Sequence, residues 1–199
     1  MQNKNNLAYF ILILTTIFWS GNFIVGKAAS TYDIPPFSLN FYRWFFAGLI
    51  LFPFTIKELI AKKEYILENI GFFTILGITS ITIFNSIVYY SLYYTQVISG
   101  ILMISTIPVW IIFISSILNI EKTNIFQIIG VIFSLTGVIF IITKADLEII
   151  KNLDFNKGDL SMVVAMFSWA VYSALLKRKK YEISQVTLLQ VVIITGLIF

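Results

Sequence analysis

The chain has 199 residues, 58% hydrophobic and 12% charged, with a net charge of +4. A soluble domain carries roughly 25% charged residues, so this chain cannot cover a water-facing surface and lipid must be the solvent for most of it. It contains no His and no Cys, which removes the commonest general base and metal ligand together with disulfide and thiolate chemistry.

A bilayer-spanning helix needs about 20 mostly apolar residues. The runs 7–29, 36–56, 71–92, 97–118, 124–143 and 159–176 approach or exceed that length, and 184–199 adds a shorter one. The pattern predicts an all-α, polytopic helical membrane protein. The basic residues lie between the apolar runs, which is not a nucleic-acid pattern.

The first run ends near Ala28-Ala29-Ser30, which would suit a signal-peptide cleavage site. Its leader MQNKNN holds one Lys, however, and the run contains Trp19, Ser20 and Asn22, so it is read as a span. Thr15, Trp19, Asn22 and Gly26 share one helical face. An amide in hydrocarbon needs a partner, so Asn22 faces the bundle interior. It either walls a solute cavity with Trp19 or glues two helices together. Lys27, near the outer end, is expected to snorkel toward the headgroups.

The second span opens on Pro35-Pro36, which suits a first helical turn. Arg43 lies inside it, and a charge there needs a partner. It either snorkels outward or meets an anionic group of a solute. The segment 57–70 is too charged to span. Leu59, Ile60, Ile66 and Leu67, interleaved with Lys62 and Lys63, suit either a short helix on the inner membrane surface or a solvated loop.

In the third span Thr74, Thr82, Asn85 and Tyr89 share a face, and a polar stripe turns toward protein or water. Asn85 and Tyr89 are cavity candidates, whereas Tyr90, Tyr93 and Tyr94 suit an interfacial belt. The fourth span sets Ser99, Met103, Thr106 and Trp110 on one face, and Pro108 kinks it. Gly130, Ser134 and Gly137 in the fifth span predict a close helix–helix contact. Asp159 is expected to cap the sixth.

Lys and Arg set the orientation. With the N-terminus in the cytoplasm, the inner segments hold Lys4, Lys57, Lys62, Lys63, Lys122, Lys177, Arg178, Lys179 and Lys180. The outer loops hold Lys144, Lys151 and Lys157, diluted by Asp146, Glu148 and Asp154. The bias puts the N-terminus inside and 144–158 outside.

The stretch 159–199 replays 7–51. A shift of 150 puts Trp169 on Trp19 and Lys177 on Lys27. A shift of 148 puts Gly196-Leu197-Ile198 on Gly48-Leu49-Ile50. Five spans separate the two starts, so the halves would be inverted copies, a common plan of secondary transporters. The expected units are 7–143, an outer linker 144–158, and the start of a second unit at 159–199. That second unit stops mid-run, after about seven spans.

No acidic residue lies deep in any span, and no metal or cofactor site is legible. An intramembrane enzyme would need a nucleophile–base pair or a metal, so none is expected. A non-transporting membrane partner or an inactive fragment is the alternative to a transporter.

Three places together carry a family resemblance. The first is Phe18-Trp19-Ser20-Gly21-Asn22-Phe23, followed by Pro35-Pro36 and Arg43. The second is YYSLYYTQVISGILMISTIPVW, then Glu121, then IGVIFSLTGVIFI. The third is Gly158-Asp159-Leu160 with Phe167-Ser168-Trp169-Ala170. In order and spacing the set resembles the EamA family of the drug/metabolite transporter superfamily. The resemblance implies a ten-span plan of two inverted five-helix units in the plasma membrane, of which about seven spans are present, as in a truncated chain. It implies carriage of small metabolites such as amino acids through a central cavity, commonly outward, with lipid around it. The cavity positions it implies are Trp19, Asn22, Asn85, Tyr89, Ser99, Met103, Thr106, Trp169 and Tyr172, to which the residue chemistry adds Arg43. A homo-oligomer is expected if the polar faces need a second copy to cover them.

Overall fold

The structure is a computed structural model that describes residues 2–120, 124–142 and 156–199. Glu121 and most of the expected outer loop, 143–155, lie outside the described residues. Every described element is helical: α1 Gln2–Thr31, α2 Pro36–Ala61, α3 Lys63–Glu68, α4 Ile70–Gly77, a π-helical segment Ile78–Phe84, α5 Asn85–Tyr94, α6 Val97–Ile104, α7 Ile107–Ile117, α8 Ile125–Ile142, α9 Lys157–Lys177 and α10 Gln185–Leu197. α4, the π segment and α5 form one rod, Ile70–Tyr94. That rod, Asn6–Thr31, α2 and α9 are long and apolar enough to cross a bilayer. The protein is thus an all-α, polytopic membrane protein.

The fourth apolar run breaks into α6 and α7, with Pro108 in the first turn of α7. Proline has no N–H, and its ring would clash with the carbonyl of Ile104. The helix therefore stops at Ile104 and restarts at Ile107. α7 ends on Asn119, whose φ is 51°, a conformation that Asn tolerates at a helix C-terminus.

α9 lies against the rod and α7, and α10 lies against α2 and α4. Between helices in lipid the attraction comes from close packing and polar contacts rather than from exclusion of water. Two glycines supply the closest crossing. A Cβ on Gly77 would lie 2.5 Å from Thr195 Oγ1 and 2.6 Å from the Gly196 nitrogen. A Cβ on Gly196 would lie 2.8 Å from the Gly77 carbonyl. Around the crossing Phe73, Leu76, Ile81, Val192 and Ile193 are buried. A second cluster joins Phe23, Val88, Tyr89 and Leu92 to Met162 and Met166.

Polar contacts tie the helices at both ends. At one end Glu58 accepts from the Ser184 N–H (2.7 Å), Ser184 Oγ (2.5 Å) and Thr187 Oγ1 (2.5 Å), which fixes the start of α10 to the end of α2. Lys62 pairs with Glu182 at 3.5 Å, and Lys179 donates to Asn69 Oδ1. Beside them Tyr181 donates to the Leu176 carbonyl. Its burial, together with Tyr172 and Tyr65, pushes its hydroxyl up to about 12, so it remains a donor. At the opposite end Thr95 Oγ1 donates to Asp159 Oδ1 at 2.8 Å, and Tyr93 donates to the Ile34 carbonyl.

Several expectations are corrected. Lys27 does not snorkel. It donates to the carbonyls of Leu92 (2.7 Å) and Thr95 (3.0 Å), because the end of α5 leaves carbonyls without helical partners. Asp159 is not the first cap of α9. Asn156 is, and Asp159 closes the capping box three residues on. The segment after 56 continues α2 to Ala61 before the short α3. Tyr93 bonds across the bundle, while Tyr94 is half-exposed. Nothing among the described residues comes within 4 Å of a Cβ on Gly130 or Gly137, so among those residues the small-residue face of α8 has no close neighbour at these two positions.

The glycine crossing gives the first test. Gly77→Ala places a methyl against backbone that cannot yield, so it should cost about 1–3 kcal/mol. Gly130→Ala, in open space, should cost nothing and gain some helix propensity. Thermal unfolding of the purified protein in detergent checks the contrast: a lower Tm is expected for the first and none for the second.

Candidate functional site

A cavity of about 410 Å³ lies where α1, α2, the π segment, the α6–α7 break, α9 and α10 meet. Its size falls within the usual range for small-molecule sites, roughly 300–1,000 Å³. The α1 wall presents Phe18, Trp19, Asn22 and Phe23, and α2 presents Arg43, Trp44 and Ala47. α9 adds Trp169 and Tyr172, and α10 adds Leu189 and Val192.

The π segment shapes the middle of the wall with Ser80, Ile81 and Phe84. A π-helical turn bonds i to i+5, so it gives up the regular α-helical pairing and shifts the face of everything after it. Several of its carbonyls take side-chain donors. Ser168 Oγ donates to Thr79 O at 2.7 Å, Asn85 Nδ2 to Ser80 O at 2.7 Å, and Asn40 Nδ2 to Ile81 O at 2.8 Å. The shift also splits the expected stripe. Thr82 faces α10 and donates to the Gly196 carbonyl at 2.6 Å, while Asn85 faces the cavity.

Arg43 is the charged residue of the lining. One terminal nitrogen donates to Asn22 Oδ1. The other donates to Asn85 Oδ1 at 2.5 Å. The guanidinium carbon lies 4.8 Å from the centre of the Trp44 ring and 5.3 Å from that of Tyr89. Tyr89 is itself buried and donates its hydroxyl to Asn22 Oδ1 at 2.5 Å. Every one of these partners is uncharged. Among the described residues no carboxylate pairs with Arg43. The charge is held by amide oxygens and aromatic faces, which attract a cation but do not neutralise it.

Trp19 and Trp169, which a shift of 150 aligns in sequence, both line the cavity and meet edge to face, with ring centroids 6.0 Å apart. Trp169 also contacts Phe84 at 4.5 Å and Tyr172 at 5.1 Å.

The structure therefore brings Trp19, Asn22, Arg43, Asn85, Trp169 and Tyr172 to one cavity. Tyr89 stands behind the wall and acts through Asn22 and Arg43. Met103 and Thr106 do not line the cavity. Thr106 Oγ1 turns back to the Met103 carbonyl at 2.7 Å, and the helix break presents Ile104 and Ile107 instead. The Ser99 side chain lies outside the described residues. Trp44, Ser80, Ile81 and Phe84 were not singled out from the sequence. An aromatic residue next to a membrane-depth Arg was a signal for Trp44, but no sequence signal marked the π turn.

Residues 6–143 match the EamA-like transporter family. The chain belongs to this family. Among its relatives is the uncharacterized transporter YyaM of Bacillus subtilis, 28% identical over 170 residues, covering 85% of this chain and 55% of that protein. An uncharacterized transporter of Archaeoglobus fulgidus is 27% identical over 199 residues, covering 98% of this chain and 66% of that protein. An uncharacterized transporter of Clostridium kluyveri is 26% identical over 176 residues, covering 86% and 56%. The EamA-like chain thus spans between about half and two thirds of the length of these relatives. No solved structure matches it.

The shared oxygen of Asn22 gives the second test. Asn22→Leu removes the acceptor of both Arg43 and Tyr89, and a bond to a buried charge is worth about 1.5–3 kcal/mol. Tyr89→Phe removes a single neutral bond, worth about 0.6 kcal/mol between membrane helices. Unfolding in detergent should rank them in that order. The double variant should lose less than the two single losses added, because the two residues share one bond.

Proposed function

We propose that the protein carries small metabolites, amino-acid-like or other neutral to anionic solutes, through the plasma membrane by alternating access, in the outward direction. Membership of the EamA-like transporter family supports the transport role, and the relatives' names agree with it. The observation that carries the reading is the position of the cavity. It lies between helices of 7–143 and helices of 159–199, the two stretches that repeat in sequence, with Trp19 and Trp169 in contact in its wall. A carrier built from inverted repeats holds its solute at such an interface and rocks one unit against the other. Domain limits of 7–143 for the first unit and 159 for the start of the second follow from that reading. The lipid-facing surface is broad and apolar, with Phe46, Phe54 and Phe133 exposed.

The orientation follows from charge. Lys62, Lys63 and Lys177 to Lys180 gather at the end of the bundle where α2 ends and α9 ends. Basic segments stay in the cytoplasm, which places the N-terminus there as well.

Two experiments test this reading. The full-length protein in proteoliposomes, loaded with a mixed pool of amino acids and small organic acids, should give saturable flux, and Trp169→Ala should lower it at least about tenfold, a loss of roughly 1.4 kcal/mol of stabilisation. Flux no greater than that of empty vesicles would overturn the transport role. For orientation, a reporter active only outside the cytoplasm should be active when fused after Asp33 and silent after Lys180. The opposite pattern would reverse the topology.

A further inference from the structure

We infer that the cavity takes an amphipathic organic monocarboxylate: one carboxylate on an aromatic or branched apolar body, with no ammonium group. The inference rests on the transport reading of the same cavity and narrows its solute.

The first argument is charge. Arg43 is the charged residue of the lining, and its protein partners are neutral. Guanidinium has five N–H donors in a planar fork; amide oxygens accept from one on each terminal nitrogen, and the Tyr89 hydroxyl is a further neutral partner. Donors remain for an oxyanion. A single fixed positive charge at membrane depth is most fully neutralised by a single negative charge. A dianion would bring a second charge for which the lining, among the described residues, offers no second cation.

The second argument is what the cavity lacks. A zwitterion needs an acceptor for its ammonium as well as a donor for its carboxylate. Among the described residues the lining has no Asp or Glu. The Asn22 oxygen accepts from both Arg43 and Tyr89, and the Asn85 oxygen accepts from Arg43, which sets that acceptor beside a positive charge. An ammonium beside Arg43 would meet like charge in a medium that screens it poorly.

The third argument is the body of the solute. Away from Arg43 the wall is Phe18, Trp19, Phe84 and Trp169, with Leu189 and Val192 beneath. Trp169 meets Trp19 edge-on and Phe84 at a tilt, and such a wall packs on an aromatic or branched apolar group. The same surface offers little to a sugar or a short hydroxy acid, whose hydroxyls would lose their water without finding partners.

Arg43 also joins α1, α2 and α5, and a purely structural role is the competing account. Solutes of one shape and different charge separate the two. The full-length protein in phosphatidylcholine nanodiscs is titrated with 3-phenylpropionate, its neutral amide, phenylalanine, phenethylamine and propionate. Binding is read from tryptophan fluorescence, since Trp19, Trp44 and Trp169 line the cavity. The expected result is saturable binding of 3-phenylpropionate, with each of the others at least about tenfold weaker. Equal or tighter binding of phenylalanine, phenethylamine or the amide overturns the inference, as does the absence of a saturable response to 3-phenylpropionate. This panel uses the unaltered protein, so the result does not depend on whether a variant folds. Arg43→Gln, where it folds, should lose the preference for the carboxylate over the amide, and a preserved preference also overturns the inference. Flux assays on the same solutes keep the two readings apart. Charge-selective binding without flux removes the transport role and leaves the binding assignment. Flux of amino acids with no preference for the monocarboxylate does the reverse.

Discussion

A guanidinium among helices bathed in hydrocarbon must find its partners within the protein, because the bilayer core has no water to serve. Arg43 meets that constraint with the amide oxygens of Asn22 and Asn85 and the faces of Trp44 and Tyr89. Those groups come from α1, α2 and the rod that ends in α5, so satisfying one charge fixes three helices relative to one another. Asn85 does so while also donating to the Ser80 carbonyl in the π segment. The arrangement that holds the charge is thus the arrangement that opens the wall. An ordinary α-helical turn at 78–84 would rotate Asn85 and Tyr89 relative to α4. The cavity and the charge depend on the same seven-residue irregularity.

The same polar requirement organises both ends of the bundle. Carbonyls left over at the end of α5 are met by Lys27, and the N-terminus of α10 is met by Ser184 and Glu58. Between these two layers the helices touch mainly through apolar side chains and through the Gly77–Gly196 crossing. Small residues let backbones approach at that point, and neighbouring hydroxyls close the contact, as Thr82 and Thr195 do. Most of the end-layer bonds involve a charged group, Lys27, Glu58, Asp159 or Lys179, and such bonds contribute about 1.5–3 kcal/mol each, whereas the exposed Lys62–Glu182 pair contributes less than about 1 kcal/mol.

The amino-acid sequence by itself determined the solvent and the element type. With 12% charged residues and apolar runs of spanning length, no other class was open, because unsatisfied backbone in lipid forces helices. Polar side chains at helical spacing also turned Asn22 and Asn85 away from lipid, and a repeat flagged the two tryptophans, whereas the placing of Arg43 was open until its partners were seen. Only the tertiary structure decided how those faces met. A fixed advance of 100° per residue carried the stripe of the third span through the π segment, where the rule fails, and so grouped Thr82 with Asn85. The same rule carried the fourth span through Pro108, where the helix breaks and gives Ile104 and Ile107 to the cavity in place of Met103 and Thr106. It could not show that Lys27 would find two free carbonyls sixty-five or more residues away. Local spacing is written in the chain, but the partner of a buried polar group is chosen by whichever other helix leaves an acceptor within reach.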